Sequence, residues 1–296
     1  MTLKIAFIGF GEAARAFTDS LSTKEGVEIT GAYDVKTDGE IRSAAAEREI
    51  RFCPDSAEAM EGADWIISAV TANQSLEAAK TAAPALRPNQ VFIDINSVSP
   101  GRKRETATLI EAQDGSYLDM AVMAPVHPRG HSTPVLIAGA CASDLAPELD
   151  ALGFRQEQVG DTPGAATAIK MVRSLFVKGL EALTVEAALA ATASGCYDRV
   201  IGSLAASYPG LGWPDIISYN LERTLKHGAR RAAEMRESAQ TLDALGLTGG
   251  LADRIADVQD AMGALPREAP AEGGLQDALR ELLELRHAAD GFSTKG

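Results

Sequence analysis

The order of apolar and polar positions divides the chain into two parts. Up to about residue 160, short apolar runs alternate with segments whose apolar residues recur at helical spacing, the mark of a parallel sheet flanked by helices. The runs predict strands over Lys4–Ile8, Glu28–Tyr33, Arg51–Phe52, Trp65–Val70, Val91–Ile95, Tyr117–Val122, Val135–Ala140 and Gln156–Val159. Helices are expected over Ala13–Leu21, Gly39–Glu49, Ser56–Met60, Ser75–Ala83 and Gly101–Glu111. After Asp161-Thr162-Pro163-Gly164 the strand-like runs stop. From Ala165 to about Ser194 the apolar residues Ile169, Val172, Phe176, Leu180, Leu183 and Ala187 recur at three- and four-residue steps, which predicts one long helix. A turn-rich break over Tyr208–Pro214 precedes helices expected around Asp215–Ala244, Leu251–Ala264 and Leu275–Ala289, with a frayed tail over Gly291–Gly296. Two domains are therefore expected, residues 1–161 and 162–296.

Between the first apolar run and the first helix stands Gly9-Phe10-Gly11-Glu12-Ala13-Ala14. A lone GxGxxG carries little, but this one follows a strand and opens a helix, and Asp34 closes the next strand. Gly9 permits the tight turn, Gly11 lets the backbone approach a pyrophosphate, and small Ala14 lets helix and strand pack closely. Free N–H groups at the helix N-terminus would then hold the phosphates, with Phe10, Glu12 and Ala13 counted among the cofactor-binding residues. Asp34 suits the adenosine ribose hydroxyls and repels a 2′-phosphate, which favours NAD; Lys36 leaves NADP open. The expected architecture is α/β, a Rossmann-type doubly wound parallel sheet followed by an all-α domain. In such a sheet ligands bind beyond the carboxyl ends of the strands. That rule selects Thr71 and Asn73 on the cofactor side, Asn96 and Ser97 beside the nicotinamide, and the loop Met123–His131, where His127 faces the substrate. Ordinary turn chemistry also explains these residue types, and Ser99-Pro100 reads as a helix cap and first residue.

Composition narrows the class. A hydrophobic fraction of 46% supports a sizeable core, and a net charge of −13 speaks against a nucleic-acid groove. Cys53, Cys141 and Cys196 are odd in number and lack metal-ligand spacing, so neither a disulfide framework nor a zinc site is expected. No apolar run is long enough for a bilayer span, and the chain enters its first strand without a leader-like segment. The expectation is a cytoplasmic bacterial protein with no membrane or nucleic-acid partner.

Within the first turns of the long helix, Lys170 is followed by Arg173 and Ser174, so the three share one helical face. A lysine among apolar residues often only snorkels outward. On a helix that begins where the two domains meet, it can instead exchange a proton with a substrate hydroxyl, desolvation lowering its pKa. Arg173 is suited to clamp an anion, or to an ordinary ion pair. Loop or surface placement is the plain reading of His127, His131 and His227. Arg230 and Arg231 with Glu234 form either an ion-paired helix face or, with His227, an anion-binding set.

Taken together these residues resemble the β-hydroxyacid dehydrogenase superfamily, which holds 3-hydroxyisobutyrate dehydrogenase and 6-phosphogluconate dehydrogenase. Gly9–Ala14 resembles its cofactor motif, and Asp94-Ile95-Asn96-Ser97-Val98-Ser99-Pro100 its D-x-S-T-x-S-P segment. Tyr117–Val122 resembles its F-L-D-A-P-V strand, and Gly164 through Lys170 its G-x-G-x-x-x-K element. The C-terminal half resembles a bacterial branch with its own helical domain. The resemblance implies hydride transfer between NAD(P) and the hydroxyl-bearing carbon of a small anionic hydroxy acid. Lys170 would be its general acid/base. The residues themselves add Asn96, Ser97, His127, Arg173 and Ser174 on the substrate, with His227 and Arg230 if they face the cleft, and call for no metal. The alanine- and leucine-rich C-terminal helices suggest a homodimer. An imine reductase on the same scaffold and a non-catalytic NAD(H) sensor are the alternatives. Two departures stand out: Ala124–His131 replaces a glycine-rich substrate loop, and Ser174 replaces an asparagine.

Overall fold

The computed structural model describes residues 2–37, 39–266 and 274–289, so the expected tail over Gly291–Gly296 lies outside the described residues. The chain divides into two compact units, Met1–Met171 and Val172–Gly296.

The first unit is a seven-stranded sheet. Its strands are β1 (Leu3–Ile8), β2 (Val27–Tyr33), β3 (Trp65–Ser68), β4 (Val91–Asp94), β5 (Ser116–Val122), β6 (Pro134–Ala138) and β7 (Arg155–Gly160), in spatial order β2-β1-β3-β4-β5-β6-β7. Pairing is parallel except between β5 and β6, so β6 and β7 run against the other five. Alternation along the strands builds two cores. Ile5, Phe7, Ile67, Ile93 and Leu118 join one, while Ile8, Ile66, Phe92 and Tyr117 join the other. Helices α1 (Glu12–Leu21), α2 (Gly39–Ala46) and α6 (Ala142–Leu152) supply the first core with Phe17, Ala44 and Leu149. Helices α3 (Ser56–Met60), α4 (Ser75–Ala82) and α5 (Pro100–Glu111) supply the second with Met60, Ala79 and Ile110.

Several expectations change. Arg51–Phe52 is not a strand; Phe52 makes a single bridge to Ala32. Helix α2 stops at Ala46, and Glu49 turns with φ 56°. Helix α6 carries Pro147 inside it, a residue whose usual meaning as a breaker hides the element in the sequence.

Helix α7 (Ala165–Ala193) begins in the first unit and continues into the second. Helices α8 (Tyr197–Ser207), α9 (Asp215–Ala244), α10 (Gly250–Gly263) and α11 (Leu275–Ala289) follow. In the second unit Val185, Leu189, Ile217, Leu221, Leu279 and Leu282 form one core, and Met235, Ala239 and Ala256 another. Helices α9 and α10 meet at bare backbone, since a Cβ on Gly228 would lie 2.2 Å from the Gln259 carbonyl oxygen.

Candidate active site

The glycine turn adopts the geometry its sequence requires. Gly9 has φ +87°, and a Cβ there would lie 2.5 Å from the Ala69 carbonyl oxygen. Gly11 is the extended N-cap of α1, and a Cβ on it would meet nothing within 4 Å, so the helix N-terminus opens to a ligand. Ala14 is fully buried against the sheet. Asp34 follows β2 and ties this turn together: its two carboxylate oxygens accept the N–H groups of Phe10 (2.8 Å) and Lys36 (2.9 Å). An ionised carboxylate has about four lone-pair directions, so two remain for ribose hydroxyls. The residues present therefore fit a dinucleotide. Thr71 and Asn73 lie exposed after β3, the threonine hydroxyl donating to the Asn73 side-chain oxygen at 2.7 Å.

A cleft of about 470 Å³ lies at this end, lined by Gly11, Glu12, Arg15, Lys36, Glu40, Ile41, Arg48 and His127. His127, expected at the substrate, stands in this cleft with Gly11 and Glu12, which are expected on the cofactor. The cause is the loop after β5. Its N–H at His131 donates to Ser20 Oγ (2.9 Å), folding the segment back onto α1. His131 is buried rather than on the surface, its ring between Ser20 Oγ (2.8 Å) and the Leu152 carbonyl (3.0 Å). Burial holds its pKa below the usual histidine value.

At the carboxyl ends of β3 and β4, Asn96 and Ser97 have different environments. Asn96 is buried; its side-chain oxygen accepts the Val70 N–H (2.7 Å) and its amide donates to Ser68 Oγ (2.9 Å) and Ser75 Oγ (3.4 Å). Both amide protons are thus engaged, and Asn96 braces strand ends instead of reaching outward. Ser97 is half-buried and receives the Lys170 ammonium at 2.6 Å. A continuous set of contacts therefore runs from Gly9 through Ala69–Val70, Asn96 and Ser97 to Lys170. Ser99 stands at the N-cap of α5, but its side chain makes no cap hydrogen bond.

Beneath this row lies a charge cluster that the sequence reading did not single out. Asp94 and Asp119 are register partners on β4 and β5, and both are fully buried. Lys103, also fully buried, lies 3.0 Å from Asp94 Oδ1 and 3.4 Å from Asp119 Oδ1. Tyr117 donates to Asp94 Oδ2 at 2.8 Å. Burial raises the Asp119 pKa while Lys103 and the Thr167 N–H act against it.

The remaining expected residues lie in the second unit. Arg173 is exposed on α7. Ser174 is buried and accepts from Lys178 Nζ (3.0 Å), which also pairs with Glu234 at 2.7 Å. His227 is half-buried on α9, and Arg230 pairs with Glu234 at 2.6 Å, the helix-face arrangement. Arg231 is buried against Glu181. The three cysteines are free, and burial pushes the Cys141 thiol up to about 11. Among the described residues no group of three or more His, Cys, Asp or Glu is placed to hold a metal ion, and no helix is long and apolar enough to cross a membrane.

Comparison with known proteins agrees with this geometry. Residues 4–147 match the NAD binding domain of 6-phosphogluconate dehydrogenase, and residues 191–262 match a domain of unknown function, DUF1932. A conserved hypothetical protein from Sinorhizobium meliloti is 37% identical, with 97% of each chain covered and a TM-score of 0.74. An uncharacterised 28.5 kDa protein of Methanothermus fervidus is 25% identical over 79% of this chain and 89% of its own. The 3-hydroxyisobutyrate dehydrogenase of Mycobacterium tuberculosis, 19% identical, shares the fold over 95% of this chain and 99% of its own, with a TM-score of 0.72. The molecule has the NAD(P)-binding fold of the hydroxyacid dehydrogenases. Within that superfamily the chain belongs to the family that joins a 6-phosphogluconate dehydrogenase-type NAD-binding domain to a DUF1932 domain.

Proposed function

We propose that the protein is an NAD-dependent dehydrogenase acting on the hydroxyl-bearing carbon of a small anionic hydroxy acid. The observation that carries this reading is the Lys170 ammonium on Ser97 Oγ at 2.6 Å, joined to the glycine turn through Asn96 and Val70. When bound, the nicotinamide supplies the hydride acceptor. Lys170, as the neutral amine, takes the hydroxyl proton as the carbonyl forms, and returns it in the reverse direction. Ser97 holds that nitrogen in place and offers its hydroxyl to the same substrate oxygen. Arg173, three residues further along α7, supplies the cation for the substrate carboxylate. Asp34 favours NAD, because its free lone pairs accept ribose hydroxyls and its charge repels a 2′-phosphate. The retained lysine favours C–OH over C=N chemistry. The test is a panel of small hydroxy acids with NAD, read by NADH absorbance. Turnover on at least one acid is expected; binding of NAD with no turnover across hydroxy acids and amines would favour the sensor.

A further inference from the structure

We propose that the buried Lys103–Asp119 pair is a positioning device, which fixes the first turn of α7 so that Lys170 meets Ser97. Asp119 Oδ2 accepts the N–H groups of Gly164 (3.0 Å) and Thr167 (3.1 Å), so the carboxylate sits on the N-terminus of α7, where its charge is favourable. At Gly164 the chain passes tightly over the start of α5: φ is +97°, and a Cβ would lie 2.8 Å from the Pro100 carbonyl oxygen. Thr167 Oγ1 donates to the Val98 carbonyl at 2.9 Å, tying the same turn to the residue after Ser97. Lys170 follows three residues later, less than one helical turn away.

Lys103 holds the other side of this clamp. Its ammonium donates to the Asp94 carbonyl (2.6 Å), pairs with Asp94 Oδ1, and lies between the two carboxylates. Adjacent strands place Asp94 and Asp119 side by side, an arrangement that repels without a cation between them. Apolar residues of similar volume would serve a core at least as well. What they would not do is receive the main chain of α7 and of the Asp94–Pro100 segment at fixed points. The pair therefore acts through Lys170, and its catalytic consequence rests on the acid/base reading above.

The test needs no substrate. Lysines are trace-labelled with acetic anhydride and Lys170 is followed by peptide mass spectrometry, with exposed Lys36 and Lys80 as internal references. Thr167→Val removes the Val98 bond at nearly constant volume and is expected to raise Lys170 labelling about five-fold, the equivalent of one net hydrogen bond. Thr167→Ser restores the hydroxyl and the wild-type rate. Asp119→Asn, which discharges the pair while keeping an acceptor, raises the rate in the same direction. In the wild-type protein, the Gly164 and Thr167 amides exchange as slowly as the sheet, unlike an uncapped first helical turn. Unchanged Lys170 labelling in either folded variant, or fast exchange of those two amides, overturns the proposal. Because labelling is independent of turnover, failure of the acid/base reading shows separately, as a Lys170→Ala enzyme that keeps its activity.

Discussion

At the candidate site of the first unit, three charged side chains act on main-chain groups. Asp119 receives the α7 N–H groups, Lys103 donates to the Asp94 carbonyl, and Asp34 receives Phe10 and Lys36. In the second unit the buried charges between α7 and α9 act on one another, Lys178 on Glu234 and Arg231 on Glu181. The contrast separates two uses of charge. A carboxylate on main-chain N–H groups fixes where a loop or helix begins, which a reaction site needs to a fraction of an ångström. A side-chain pair inside a helix interface fixes register, and its loss is felt as stability.

The sharpest way to break this comparison is Glu181→Ala. It leaves the Arg231 guanidinium buried without its carboxylate, and urea titration should show a loss of about 3–5 kcal/mol. Replacing both partners with Met should recover most of that loss. A single-variant loss below about 1 kcal/mol would mean the pair behaves as a solvated surface bridge.

Asp34→Ala probes the other half. The charge here serves a local turn, so NAD affinity by calorimetry should fall about ten-fold while the urea midpoint hardly moves. An equal loss of global stability would erase the distinction between the units.

The smallest effect concerns acid. Burial, with a lesser contribution from Lys24, keeps the folded-state pKa of His131 below its ordinary value, so the unfolded chain binds the proton first. The stability this group contributes is complete above about pH 6.5 and is lost as pH falls through the lowered value. Wild-type Tm should therefore drop more steeply below about pH 6.5 than that of His131→Gln. Parallel curves would show that His131 protonates freely in the folded protein.

Much of this was legible in the residues. Gly9, Gly11 and Asp34 announced the nucleotide turn because strand, glycines, helix and acid occur in a fixed order with one geometric solution. The placement of Lys170 in the first turns of a long helix was legible as well. Neighbours in sequence that diverge in space were harder. Asn96 and Ser97 look equivalent in a strand-end loop, yet Asn96 faces inward to Val70 while Ser97 meets Lys170. His127 was expected at the substrate, and nothing local shows that its loop turns back onto α1 through Ser20 and sets it in the cleft beside Gly11. Lys103 was invisible for a similar reason: within Arg102-Lys103-Arg104 it looks like part of a solvated face, and only the sheet register sets two buried carboxylates beside it.

The central claim is that the Lys170 nitrogen exchanges the proton of the reacting hydroxyl. Its most direct test compares wild-type and Lys170→Ala turnover on the best hydroxy acid of the panel, with NAD binding measured in parallel. The account predicts a fall of about 10²–10⁴ in turnover with NAD affinity unchanged. Turnover within about two-fold of wild type, at equal NAD affinity, would contradict it.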